Sequence, residues 1–260
     1  MKKNHFYQNN ADDYRSSASQ ANTHRGQAGT AKGKKRKNKW VDRLLIILIV
    51  ACLAGAAYFL IKPIVVKHRQ DEVTALLNDK LDAGDLSSIK VRANANKVEG
   101  EAYDFYGEGE INYEDLDPNA EVELVPLGRV KIPSINVNLP LLNQAWAVQL
   151  RYGLGHVPES ALPGEDGNCA ILGHRMLDSG RHLNRLNEVK VGDHFTINTG
   201  TDLYTYEVID MPVIEPEVLM DYVNKNYGEP TVTLITCHPI PTWTHRLLCV
   251  GKQIDHKVLK

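Results

Sequence analysis

Cys237 closes the run Thr231-Val232-Thr233-Leu234-Ile235-Thr236-Cys237, and His238-Pro239-Ile240-Pro241 follows. Proline has no N–H to give to a ladder, so the thiol is expected at a strand end where a loop opens. A side chain there is held by rigid backbone and remains reachable. It can be a nucleophile or an inert core thiol, and position alone leaves both open. Cys249 lies within Leu247-Leu248-Cys249-Val250 and Cys169 heads the run Cys169-Ala170-Ile171-Leu172, the apolar-strand setting of structural cysteines.

A thiol nucleophile needs a base and a group that stabilises the oxyanion. The chain holds 10 histidines, so a histidine somewhere carries little information. His238 adjoins Cys237, and neighbouring side chains of an extended segment point to opposite faces, which makes it a poor partner. His174 is better placed, because it follows the apolar run ending at Leu172 and Gly173 lets the chain turn. Arg246 heads the apolar run Leu247–Val250. If that run pairs antiparallel with the one ending at Cys237, guanidinium and thiol lie side by side. The arginine would then lower the thiol pKa and donate hydrogen bonds to a developing oxyanion. The bland alternatives are a surface ion pair for Arg246 and a satisfied turn histidine for His174.

These three residues need a scaffold, and the surrounding pattern is one of short extended runs. Val130-Lys131-Ile132 stops at Pro133, and Ile135, Val137 and Leu139 alternate before Pro140. Phe195 and Ile197 alternate, as do Tyr204, Tyr206 and Val208, and Val232, Leu234 and Thr236. Short strands with Gly/Pro punctuation from about Val122 onward imply an all-β sandwich or barrel. Two helical pieces interrupt it, around Gln144–Leu150 and Glu217–Asn224 after Pro216.

Upstream, Leu44 to Ile61 is an uninterrupted uncharged run that spans ~27 Å as a helix, close to the hydrocarbon thickness of a bilayer. Lys32, Lys34, Lys35, Arg36, Lys37, Lys39 and Arg43 crowd its N-terminal side, so the N-terminus is expected in the cytoplasm. A cleaved signal peptide would have a shorter basic region and an apolar run that stops at its cleavage site. Ile49-Val50-Ala51-Cys52 loosely resembles a lipoprotein cleavage box, but only eight anchor residues precede Cys52. An uncleaved anchor fits better. Residues 1–43 carry eleven basic and three acidic residues and read as a disordered cytoplasmic tail. The remaining 217 residues carry nineteen basic and twenty-nine acidic ones, which argues against nucleic-acid binding by the folded part. Val73, Leu76, Leu77 and Leu81 recur at helical spacing before Gly84, a juxtamembrane helix with a stop. Residues 97–123 hold ten acidic residues against one basic, and read as a solvated linker or as a cover over a cationic cleft. The expected organisation is a tail at 1–43, an anchor at 44–61, a juxtamembrane helix and acidic linker at 62–121, and a β-domain at 122–260. No CxxC pair or calcium-loop pattern occurs, so neither a metal nor another cofactor is expected.

Thr233-Leu234-Ile235-Thr236-Cys237 followed by Arg246 at the head of an apolar strand resembles the signature of the sortases, membrane-anchored cysteine transpeptidases of Gram-positive bacteria. Ala170-Ile171-Leu172-Gly173-His174-Arg175 resembles the segment carrying the sortase histidine, and Lys131 to Pro140 the early strand pair. Gly155-His156-Val157-Pro158 and Val191-Gly192-Asp193 also fit, and the likeness covers roughly residues 126–254. The resemblance implies an eight-stranded β-barrel with short helices behind one transmembrane helix. It implies Cys237 as nucleophile, His174 as general acid/base and Arg246 as oxyanion and signal-positioning group. The implied reaction cuts a Leu-Pro-x-Thr-Gly-like sorting signal of a surface or pilin protein after Thr. An amine of a cell-wall precursor or a pilin lysine then resolves the thioacyl enzyme. A single anchor fits class A or D, whereas Gly173-His174-Arg175 and Thr244-His245-Arg246 resemble the pilin type, so the class stays open. Asp117-Pro118 is followed by Asn119, not the aromatic of an occluding lid. Competing readings are a cysteine peptidase that passes the acyl group to water and a non-catalytic surface-binding module with the same fold.

Overall fold

The computed structural model describes residues 38–93, 117, 119–175 and 182–259. The expected tail up to residue 37 and the acidic stretch from 94 to 116, with its linker and cover alternatives, lie outside the described residues, as does Pro118. Residues 1–51 and 52–260 form two units. The described part of the first is the start of helix α1.

Helix α1 runs without a break from Lys39 to Asp82, so the expected anchor and juxtamembrane helix are one element of 44 residues, about 66 Å long. It is long and apolar enough to cross a membrane. It ends where expected. Gly84 takes φ 72°, a conformation open to glycine, and its N–H bonds the Leu81 carbonyl. Lys80 then pairs with Asp85 at 2.5 Å.

The last turns of α1 are held against the β-domain. Leu77 is fully buried with Leu124, Leu142, Val148 and Tyr152. Thr74 Oγ1 donates to the Tyr152 carbonyl at 2.8 Å, and Arg129 donates to Asp82 and to the Asn78 carbonyl, both at 2.6 Å. Two short strands, β1 (Ile89–Arg92) and β2 (Glu121–Leu124), pair antiparallel and pack Val91 and Val122 against the same cluster. The segment preceding the barrel is thus ordered structure at both its ends.

The β-domain strands are β3 (Pro126–Ile132), β4 (Val137–Leu142), β5 (Leu154–His156), β6 (Asn168–Leu172), β7 (His194–Asn198), β8 (Asp202–Asp210), β9 (Val213–Ile214), β10 (Thr231–His238) and β11 (His245–Val258). Their order is β10-β6-β5-β4-β3-β7-β8-β11, and β11 pairs back onto β10. That closes eight strands into a barrel, with β9 added along the start of β11. Closure removes the exposed edges that an open sheet would present. The interior holds Val130, Ile132, Phe195, Ile197, Tyr206, Val232, Leu234 and Leu247, one face of each alternating strand. Helix α2 (Ala147–Leu150) and helix α3 (Leu219–Val223) match the two expected helical pieces, and a 3-10 turn at Pro216–Val218 leads into α3.

Two elements differ from the sequence pattern. β4 continues through Pro140, where a stop was expected. Its pairing with β5 begins only at Leu141, so the missing N–H interrupts no rung on that side. β11 is 14 residues long, far beyond the apolar run Leu247–Val250. Register shifts at Val250/Gly251 and Gln253/Asp255 break its alternation, which is why no period marks its second half.

Candidate active site

β10 and β11 pair antiparallel in the register Thr236↔Leu247, Cys237↔Arg246, His238↔His245. Cys237 and Arg246 are therefore direct cross-strand partners, as antiparallel pairing of the two runs requires. Directly opposed residues project from the same face of a sheet. The face is the outer one. Leu234 and Leu247 belong to the barrel interior, whereas Ile235, Cys237 and Leu248 join a separate cluster with Ile214, Leu219 and Val223 outside the wall. Cys169 and Cys249 point inward with the interior cluster.

β6 lies on the other side of β10, parallel to it, in the register Leu234↔Ile171 and Ile235↔Leu172. Gly173 N–H continues the ladder to the Ile235 carbonyl at 3.0 Å. Carried two residues past its last pair, the same register would bring His174 alongside Cys237. The Thr236 hydroxyl donates to the Gly173 carbonyl at 2.7 Å and fixes this junction. Gly173 has no room for a side chain, since a Cβ there would meet Leu154 Cδ2 at 2.5 Å and Leu183 Cδ1 at 2.7 Å. Of the three residues singled out by sequence, Cys237 and Arg246 are thus a direct cross-strand pair, and His174 follows the end of the neighbouring β6.

All three are buried, with 7% of His174, 7% of Cys237 and 6% of Arg246 exposed. Burial pushes the Cys237 thiol above the usual range, although Arg246 and then Arg175 pull it down. Desolvation of the thiolate therefore outweighs the two guanidiniums, and the net lowering expected beside Arg246 does not occur. Burial, helped by the charge of Arg151, lowers His174 to about 4. Arg246 Nη1 donates to the carbonyls of Trp243 and His245 at 3.3 and 3.2 Å, which orients the guanidinium from the loop between β10 and β11. The interior thiols differ. Burial pushes Cys249 up to about 12 and Cys169 higher still, with no arginine acting on either.

Sequence reasoning missed three neighbours. Arg175 bonds the Cys237 carbonyl and His238. Its place directly after His174 was the only available signal. His182 sets its ring edge-on to His174, with centroids 6.1 Å apart, and pairs with Arg175 in an isolated bridge. Arg151, just past α2, donates to the Ala93 carbonyl at 2.6 Å and acts electrostatically on His174. His238, read as a poor partner for the thiol, accepts from Arg175 through Nδ1. Among the described residues no cluster of His, Cys, Asp and Glu could hold a metal ion.

Residues 130–254 match the sortase domain family. The chain is 28% identical over 160 residues to sortase A of Bacillus anthracis, covering 60% of this chain and 75% of that one. It is 24% identical over 216 residues to sortase A of Streptococcus agalactiae, covering 80% and 83%. The crystal structure of sortase C1 from Streptococcus agalactiae is 36% identical, with a TM-score of 0.47, over 50% of this chain and 68% of that one. The relatives carry different class names, so the class stays open as it did from sequence. The signature around Cys237, the closed eight-stranded barrel and the family match agree, and the chain belongs to the sortase family of membrane-associated cysteine transpeptidases.

Proposed function

We propose that this sortase cleaves a Leu-Pro-x-Thr-Gly-like signal of a surface or pilin protein with Cys237 as nucleophile, His174 as acid/base and Arg246 as oxyanion donor. The observation that carries the reading is the direct pairing of Cys237 with Arg246 on the outer face of the barrel, and the parallel pairing of β10 with the strand that leads into His174 supports it. With His174 lowered and Cys237 raised, the resting pair is a thiol and a neutral imidazole. As Sγ attacks the Thr carbonyl carbon, its proton passes to the imidazole. The guanidinium donates to the oxygen that gains charge. The Thr–Gly C–N bond then breaks, the imidazolium protonates the departing glycine amine, and a thioester remains on Cys237. An amine of a cell-wall precursor or a pilin lysine attacks the thioester and restores the thiol.

The apolar run 44–61 of α1 is the anchor of this reading, with the basic residues 1–43 cytoplasmic and the barrel outside. Residues 62–121 connect the anchor to a catalytic domain at 122–260.

The test is intact-mass analysis of the detergent-solubilised chain incubated with a sorting-signal peptide, with and without an amine acceptor. The expected result is a thioacyl adduct on Cys237, absent from folded Cys237→Ala, and an amide product when the amine is present. Cleavage by Cys237→Ala would sink the nucleophile assignment. Hydrolysed product alone, with the amine in excess, would replace transfer by peptidase activity.

A further inference from the structure

The parallel ladder between β6 and β10 ends at the bond from Gly173 N–H to the Ile235 carbonyl. Beyond it side chains take over. Thr236 reaches the Gly173 carbonyl, and Arg175 Nη1 donates to the Cys237 carbonyl at 3.4 Å. The residue next to His174 is thereby tied to the backbone of the thiol residue itself. The same guanidinium makes three other bonds. Nη1 also donates to His238 Nδ1, Nη2 to Asn187 Oδ1 at 2.6 Å, and Nε to the Asn184 carbonyl at 3.2 Å.

Four acceptors from two further stretches of chain converge on one planar group. Arg175 is buried, and a buried charge persists only where hydrogen bonds replace its water. None of the four acceptors is a carboxylate, so the bonds satisfy the donors without cancelling the charge. The field of that charge reaches Cys237 and favours its thiolate. A lysine would keep a positive charge here. It could not serve acceptors spread around the edge of a guanidinium fork.

We infer that Arg175 is a positioning residue: its fork locks the Cys237 backbone against the His174 turn and so sets the spacing of thiol and imidazole. The inference rests on the roles given to Cys237 and His174 above. Geometry and charge make separable contributions. The fork governs turnover through spacing, and the charge governs the ease of ionising the thiol.

Two variants of the detergent-solubilised full chain separate them. In Arg175→Lys, kcat for a Leu-Pro-x-Thr-Gly peptide is expected to fall about 10- to 100-fold, the cost of a misplaced reacting pair. KM should stay within about twofold, and the pH range of Cys237 alkylation by iodoacetamide should not move. Asn187→Asp keeps the acceptor for Nη2 and adds a negative charge beside the fork. There the alkylation range is expected to move to higher pH, with a smaller loss of kcat than in Arg175→Lys. A merely structural role predicts no such division, because both readouts would follow thermal stability. Parental kcat in folded Arg175→Lys, or the two readouts moving together in both variants, would overturn the inference. If Arg175→Lys does not fold, Asn187→Ala removes one acceptor from the exposed side. A three- to tenfold fall in kcat, about the worth of one hydrogen bond, then supports the inference and parental kcat overturns it. Cys237→Ala keeps the two readings apart. If it still cleaves, the nucleophile assignment fails. If it is inactive while folded Arg175→Lys is parental, only the positioning role fails.

Discussion

Lowering the pH should cost this protein stability through His174, and replacing that residue should remove the cost. Burial and the nearby Arg151 charge lower His174 from 6.5 to about 4. A depressed folded-state pKa means that, between these values, the unfolded chain binds a proton the folded one refuses. Stability from this site is therefore complete above about pH 6.5 and is lost as the pH falls towards and through 4. At pH 4.5 the site is almost fully protonated in the unfolded chain and about one-quarter protonated in the folded one. Linkage between pH 7.5 and 4.5 then amounts to roughly 2.5 kcal/mol. Glutamine does not titrate, so His174→Gln should lack this loss, while contributions from the other histidines cancel in the comparison. The assay is urea unfolding in detergent at both pH values, followed by the fluorescence of Trp146 and Trp243. The parent should lose roughly 2.5 kcal/mol more than the variant on acidification. Equal losses would show that the imidazole titrates normally in the folded protein, and the lowering of His174 by its buried setting would be refuted.

Arg246→Lys is expected to lose about 10²–10³ in turnover of the sorting peptide, the usual cost of an oxyanion donor, while Cys237 is alkylated over the parental pH range because the charge remains. Near-parental turnover would reduce Arg246 to a counter-charge. Alkylation of the native protein near pH 8, read by peptide mapping, should label Cys237 well before Cys169 and Cys249, whose burial pushes them higher without any arginine in opposition. Equal labelling of the three would remove the distinction between the outer and inner faces of the barrel wall.

What the sequence revealed of this site depended on how local each relation is. Cys237 and Arg246 are joined by a short proline-containing connection between two extended runs, so antiparallel pairing and its register follow almost from chain length. His174 was legible as a turn residue beside Gly173. Its nearness to the thiol depends on β6 lying parallel to β10 across about 60 residues of chain, and no periodicity encodes which strands become neighbours. The resemblance supplied that relation. Arg175 and Arg151 escaped notice because a buried arginine has the same one-letter appearance as an exposed one. Only the converging carbonyls distinguish it. The continuity of α1 was hidden by Lys62-Pro63 and by Lys67-His68-Arg69, which break the apolar pattern without breaking the helix.

The electrostatics at Cys237 follow from which face of the wall it occupies. An inward thiol, such as Cys249, is sealed among apolar side chains and meets no compensating charge. An outward thiol on a naked wall would be solvated and ordinary. Cys237 lies between these limits, under a cover formed by Ile214, Leu219, Val223 and Trp243, with two arginines acting on it. The cover makes the thiolate expensive, and it also strengthens every charge–charge interaction beneath it, because the local dielectric falls. The same cover therefore raises the thiol at rest and makes the arginines effective once charge develops on sulfur or on a substrate oxygen. On this reasoning, thinning the cover by Leu219→Ala would ease ionisation of Cys237 and at the same time weaken the donors that must act on the oxyanion. Resting thiol reactivity and turnover should then move in opposite directions, a result that a model based on thiol acidity alone does not predict.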